Sequence, residues 1–204
     1  MNSIIINNKE IFPSKVVCIG RNYVEHIKEL NNETPDQAVF FFKPNSSVST
    51  KLIFPKNYSS CHYEAEISFL MEENKITAVG FGLDLTLREV QSGLKQKGLP
   101  WERAKAFNNS AVFSKFVSFD KDVSKLSLEL HINGQLKQKG SVEQMIYKPK
   151  EIIKELLSFS NFEDGDILMT GTPKGVGEFK PHDIFVGKIL YEDKVICEQR
   201  FEVV

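Results

Sequence analysis

Leu126-Ser127-Leu128-Glu129-Leu130-His131-Ile132-Asn133-Gly134 is the stretch that decides the fold class. Leu126, Leu128, Leu130 and Ile132 alternate with polar residues, the period-two pattern of a strand with one buried face. Asn133-Gly134 closes it with the dipeptide that two-residue hairpin turns favour, because both central positions need positive φ. The pattern recurs outward in both directions. Residues 184–191 and 195–203 read as a hairpin around Glu192-Asp193. Residues 63–70 alternate strictly, with Tyr63, Ala65, Ile67 and Phe69 on one face, and residues 76–85 form a second strand of small and apolar residues. Residues 16–20 and 166–169 are shorter strands, and 39–42 is an apolar run stopped by Lys43-Pro44. Three helical patterns stand against these strands: 23–30 with Tyr23, Ile27 and Leu30 on one side, 86–97 with Thr86 as N-cap, and 151–159 after Pro149. Strands outnumber helices and several are joined by hairpins, which predicts an α+β, β-rich fold with mostly antiparallel sheets.

A chain of 204 residues predicts one domain, 1–204, with a core large enough to need no staples. Lys and Arg number 26 against 27 Asp and Glu, so no basic surplus is present for a phosphate backbone, and no nucleic-acid partner is expected. Cys18, Cys61 and Cys197 are odd in number and widely spaced, which suits buried thiols rather than a disulfide framework. The opening Met-Asn-Ser-Ile-Ile-Ile is too short an apolar run for a signal peptide, and no stretch approaches the ~20 apolar residues of a membrane span. A cytoplasmic protein with no membrane partner is the expectation.

Five groups of residues bear on chemistry. In Tyr63-Glu64-Ala65-Glu66 the two carboxylates share one face of a strand and repel unless a cation lies between them; oxygen ligands suit Mg2+ or Mn2+. The same face continues to Ser68, so a solvated polar face accounts for the pattern equally well. Asp84 ends an otherwise apolar strand and would complete a three-carboxylate site, or serve as an ordinary turn residue. Arg88 and Gln91, three apart on a helix, share a face that fits a carboxylate or water. His26 and Glu29 have the same spacing; a carboxylate beside a histidine raises its basicity, as a general base requires, although exposed pairs of this kind are commonly surface contacts. Thr170-Gly171-Thr172-Pro173-Lys174-Gly175-Val176-Gly177 is a loop whose N–H groups can cradle an anion, or a plain tight turn; it has neither P-loop nor dinucleotide spacing.

Taken in order, Gly20-Arg21-Asn22-Tyr23 with His26 and Glu29, Tyr63-Glu64-Ala65-Glu66, Asp84-Leu85-Thr86-Leu87-Arg88-Glu89-Val90-Gln91, Lys97-Gly98-Leu99-Pro100-Trp101, Lys105-Ala106-Phe107 and the 170–177 loop resemble the fumarylacetoacetate hydrolase family, in particular its single-domain acylpyruvate hydrolase and oxaloacetate decarboxylase branch. The resemblance spans about Val16 to Gly177. It implies a mixed β-sandwich roll with a few short helices, assembled as a homodimer. It implies Glu64, Glu66 and Asp84 as ligands of Mg2+ or Mn2+, Lys105 as the active-site lysine, and Arg88, Gln91 and Thr172 as substrate contacts. It also implies His26 and Glu29 as an acid–base pair on a mobile lid, residues 21–35. The implied substrate is a small 2-oxo acid. The expected reaction is hydrolysis of the C–C bond of a 3-acylpyruvate to pyruvate and a carboxylic acid. The alternatives are oxaloacetate decarboxylation, isomerisation of a 2-oxo acid, and a catalytically idle binding protein that keeps the fold.

Overall fold

The computed structural model, which describes residues 1–29 and 37–204, begins with a small hairpin of β1 (Ile4–Ile6) and β2 (Lys9–Ile11). β3 (Lys15–Gly20), α1 (Val24–Glu29), β4 (Val39–Pro44) and β5 (Val48–Ser49) follow. The two-residue β6 (His62–Tyr63) leads through Glu64 into β7 (Ala65–Glu72), which turns back as β8 (Lys75–Asp84). α2 (Arg88–Gln96) and the four-residue α3 (Glu102–Lys105) precede β9 (Ala111–Phe113) and β10 (Val117–Ser118). The second half holds β11 (Leu126–Ile132), β12 (Gln135–Ser141), α4 (Pro149–Leu156), β13 (Ile167–Met169), β14 (Gly177–Glu178), β15 (Ile184–Tyr191) and β16 (Lys194–Glu202).

The large sheet runs β4-β3-β13-β7-β8-β9-β5 with β10 on β8, and a smaller sheet runs β12-β11-β15-β16. Only β13–β3 and β5–β9 are parallel among the described pairs, so the mostly antiparallel α+β architecture expected from the hairpins is the one observed. The deciding turn carries Asn133 at φ 50° and Gly134 at φ 79°, as its dipeptide requires.

Two apolar layers explain why the strands of the large sheet are so hydrophobic. Ala65, Ile67 and Phe69 of β7 and Phe81 of β8 pack with Leu128, Leu130, Phe185 and Ile189 of the smaller sheet. The opposite face, with Val16, Cys18, Leu70 and Met169, forms a second cluster under β1. Central strands covered on both faces lose the simple apolar–polar alternation. Thus the face of β7 that carries Glu66 and Ser68, which the sequence allows to be solvated, is buried.

Several elements differ from the sequence reading, among them the 151–159 helix, which starts at Pro149 and ends at Leu156. The 39–42 run does not stop at Lys43-Pro44: β4 continues through both and buries Lys43 completely. Thr86 is not an N-cap, since α2 begins after Leu87. α3 is a fourth helix, too short to show a period. The three cysteines are buried free thiols, as expected. Among the described residues no helix is long and apolar enough to cross a membrane.

Candidate active site

The register of β7 and β8 assembles the carboxylates. Ala65 pairs with Leu83 and Glu66 with Gly82, and the Asp84 N–H donates to the Glu64 carbonyl at 2.8 Å. Residues opposite each other across a ladder share a face, so Glu64, Glu66 and Asp84 converge while Gly82 adds no side chain between them. Carboxylate oxygens of the three lie within 4.8 Å of one another, all on buried residues.

Cations surround this cluster unevenly. The end of α3 delivers Lys105, whose ammonium donates to Glu64 Oε2 at 2.8 Å, Asp84 Oδ2 at 2.6 Å and Thr86 Oγ1 at 2.7 Å, using all three of its protons. Arg88, on the first turn of α2, pairs with Glu64 Oε1 and donates to Gln91 Oε1 at 2.7 Å, which confirms their shared helix face. Lys43 lies 2.7 Å from Asp84 Oδ1 and donates to the carbonyls of Leu85, Lys105 and Ser110. Among the described residues Glu66 has no ion pair; its partner is the Gly171 N–H at 2.7 Å. The electrostatic consequences diverge. Burial would raise Glu64, but the Lys105 ammonium and Arg88 guanidinium hold its carboxyl well below the usual range. Burial, reinforced by the negative charges of Asp84 and Glu64, pushes Glu66 well above it. Burial opposes the Lys105 charge, and Asp84 and Glu64 outweigh it and raise the ammonium.

The other wall is made by α1 and the 170–177 loop. His26, only 6% exposed, places Nδ1 3.3 Å from Glu29 Oε2. Glu29 in turn accepts the Gly175 N–H, at 3.0 and 3.2 Å to its two oxygens. Gly175 has φ +98°, and a Cβ there would stand 2.1 Å from the Lys137 carbonyl, so only glycine lets this loop approach β12. Gln138 of β12 ties the loop down: its amide donates to Thr172 Oγ1 at 2.8 Å and accepts from the Ala65 N–H at 2.9 Å.

Eight of the nine residues expected from the sequence line one cavity of about 30 Å³: His26, Glu64, Glu66, Asp84, Arg88, Gln91, Lys105 and Thr172. The ninth, Glu29, stands behind His26 and orients it. Residues 30–35 of the segment expected to be mobile lie outside the described residues. The sequence reading missed Lys43, Gln138 and the role of Thr86, whereas the Gly171 N–H belongs to the loop it singled out for holding an anion. It also missed Arg21 and Lys95, which line the cavity too.

Three buried oxygen donors, one of them without a cation of its own, fit a hard divalent ion. A β-rich roll that buries such a cluster opposite a carboxylate-oriented histidine defines an enzyme site. Residues 15–200 match the fumarylacetoacetate (FAA) hydrolase C-terminal family, and the chain belongs to the fumarylacetoacetate hydrolase family. It is 38% identical over 187 residues to the oxaloacetate tautomerase YcgM of Escherichia coli, covering 83% of this chain and 85% of that protein. A candidate fumarylacetoacetate isomerase/hydrolase from Oleispira antarctica superposes with a TM-score of 0.94 at 35% identity, covering 100% of both chains. Fumarylpyruvate hydrolase from Pseudomonas aeruginosa, solved with Mn2+ and pyruvate, superposes with a TM-score of 0.87 at 27% identity, covering 100% of this chain and 95% of that one.

Proposed function

We propose that this protein is a divalent-metal-dependent oxaloacetate tautomerase, interconverting the keto and enol forms of that small 2-oxo acid. The observation that carries this reading is buried His26, with the more exposed Glu29 behind it, lining one small cavity together with the carboxylate cluster. The tautomerase relative, matched over 83% of the chain, agrees with it. Glu64, Glu66 and Asp84 would hold Mg2+ or Mn2+, which when bound supplies Lewis-acid polarisation of the 2-oxo group.

The chain's own residues do the rest. Arg88 offers a guanidinium, and Gln91 and Thr172 offer neutral polar groups, to the 2-oxo acid end of the substrate. Nδ1 of His26 is engaged by Glu29, so Nε2 is the atom free to accept the C3 proton. The C–H electron pair becomes the C2–C3 double bond, the carbonyl π pair moves onto oxygen, and that oxygen takes a proton from solvent while His26 Nε2 releases the C3 proton to solvent, so the enol forms with no net change in protons. Lys105, fixed by three acceptors, adds positive charge beside the oxygen that gains electron density.

The test follows the near-ultraviolet absorbance of enol-oxaloacetate after dissolving the keto form, with Mg2+ or Mn2+ and with EDTA. Metal-dependent acceleration that falls about 10²–10⁴-fold in His26→Ala is expected, the contribution typical of a positioned base. A rate equal to that in buffer alone rejects the reading.

Hydrolysis of a 3-acylpyruvate is the second reading, favoured by the same pair, because a carboxylate-oriented imidazole is also what activates water. Pyruvate release from acetylpyruvate distinguishes it, and carbon dioxide release from oxaloacetate distinguishes decarboxylation. The reading also includes a homodimer: β4 is the open edge of the large sheet, and exposed Phe159 packs edge-on against its Phe40. Light scattering tests that part separately.

A further inference from the structure

The cavity carries a cation that neither the cluster nor the proton-transfer pair uses. Lys95 lies on α2 seven residues after Arg88 and four after Gln91, so the three side chains stand on one helix face. All three line the cavity. Arg88 and Lys105 each already pair with a carboxylate of the cluster. Lys95 does not: among the described residues it has no ion pair or hydrogen bond, and its ammonium stands 5.0 Å from the centre of the Trp101 ring. Trp101 and Arg21 line the same wall.

An ammonium half-buried against an aromatic face, with positive neighbours, lacks the anion that its surroundings favour. Among the described residues Arg88, Lys95 and Lys105 line the cavity with three carboxylates, and Lys95 is the one of these three cations that pairs with none of them. A divalent ion on those carboxylates would leave positive charge in excess. A monocarboxylate that met Arg88 would leave most of this excess uncompensated. A dicarboxylate would bring a second negative charge.

We propose that Lys95, flanked by Arg21 and backed by Trp101, seats the second carboxylate of a four-carbon 2-oxo dicarboxylate, and so selects that class over 2-oxo monocarboxylates. The assignment rests on the tautomerase reading for the orientation of the substrate, with its 2-oxo acid end at Arg88 and the cluster. Burial, followed by the charges of Arg21, Arg88 and Lys105, lowers the Lys95 ammonium to about 8, while the charge of Glu64 opposes the shift. A carboxylate bound at Lys95 relieves that repulsion. Lys95 is thus a specificity residue rather than a group that moves the proton.

The experiment uses the Mn2+-loaded protein and two inert 2-hydroxy acids, malate and lactate, which differ by the second carboxylate. Calorimetry gives their affinities for the wild type, Lys95→Met and Lys95→Arg. The wild type should prefer malate, and Lys95→Met should lose about tenfold of that preference, the size of one charge-assisted hydrogen bond, with lactate binding unchanged. Lys95→Arg should restore most of it. In turnover, Lys95→Met should raise the KM for oxaloacetate about tenfold and change kcat far less. An unchanged malate-to-lactate ratio in Lys95→Met overturns the proposal, even if the wild type is an active tautomerase. Equal weakening of malate and lactate also overturns it, because that marks general damage to the pocket. If the wild type shows no tautomerase activity yet its malate preference depends on Lys95, the functional reading fails and the assignment of Lys95 stands.

Discussion

Lys43 is a fully buried ammonium, and replacing it by methionine is the sharpest test of how the carboxylate cluster is held. Its charge meets Asp84 Oδ1 at 2.7 Å, and its protons serve the carbonyls of Leu85 and Ser110, at 3.4 and 3.0 Å, and of Lys105. Methionine matches its length and removes both the charge and the donors. Removing one partner of a buried ion pair costs about 3–5 kcal/mol, because the remaining charge stays desolvated. At about 2–4 °C per kcal/mol for a chain of this size, Lys43→Met should lower the midpoint of thermal unfolding by about 6–20 °C. The measurement is made in EDTA so that no cation substitutes for the lost ammonium. Asp84→Asn is the companion: if the pair is the cause, the double variant should lose less than the two single losses summed, by about 0.5–3 kcal/mol. Additive losses, or a loss below about 1 kcal/mol for Lys43→Met alone, refute the argument that the buried pair dominates.

Three further outcomes follow from the same geometry. Glu66 has a raised pKa in the folded protein, so between its unfolded value near 4.5 and that raised value the folded state binds more protons. In EDTA, stability should therefore fall as pH rises through that window, whereas Glu64, depressed by its cations, loses its contribution only as pH falls below the ordinary carboxylate range. Saturating Mg2+ should abolish the decline, and a flat melting profile in EDTA would contradict the assignment. Gly171 has φ +91°, and a Cβ there would stand 2.8 Å from Cβ of Asn22, so Gly171→Ala should cost about 1–3 kcal/mol in chemical denaturation and weaken Mn2+ binding by shifting the N–H that Glu66 accepts. Glu29→Gln keeps one acceptor for His26 and loses the charge; kcat should drop about tenfold or more with KM little changed, and an unaffected kcat would remove Glu29 from the proton-transfer pair.

What was legible in the sequence was what short spacing fixes. The i, i+2 pair Glu64–Glu66 and the i, i+3 pairs Arg88–Gln91 and His26–Glu29 each converge as their periods require. The 126–134 pattern gave the smaller sheet and its hairpin, since turn chemistry and alternation agree there. Lys43 was not legible because lysine is rarely buried, and a Lys-Pro pair after an apolar run resembles a strand stop. Thr86 matched an N-cap by residue type, yet its hydroxyl serves Lys105, 19 residues away. Gln138 reaches Thr172 across 34 residues, a distance over which no periodicity operates. Lys95 was within reach: the helical spacing that joins Arg88 to Gln91 extends to it one turn later.

The two glutamates of one short strand segment show how the surroundings divide labour between identical groups. Glu64 has two cations of the chain on its two oxygens, Arg88 on one and Lys105 on the other. Its charge is compensated by the protein, and it anchors α2 and α3 to the start of β7. Glu66 accepts one backbone N–H and meets two neighbouring negative charges, with the Lys105 charge the weakest of its influences and no cation paired with it among the described residues. Its charge is therefore the one left for an external cation to compensate. Cation affinity should depend on both residues but for different reasons. Glu66→Gln removes the uncompensated charge and should raise metal-free stability while it weakens metal binding. Glu64→Gln leaves Arg88 and Lys105 with one fewer carboxylate, and should lower both. Opposite signs in EDTA melting for two conservative changes two residues apart are what this asymmetry requires, and equal signs would mean that the cluster acts as a single undivided charge.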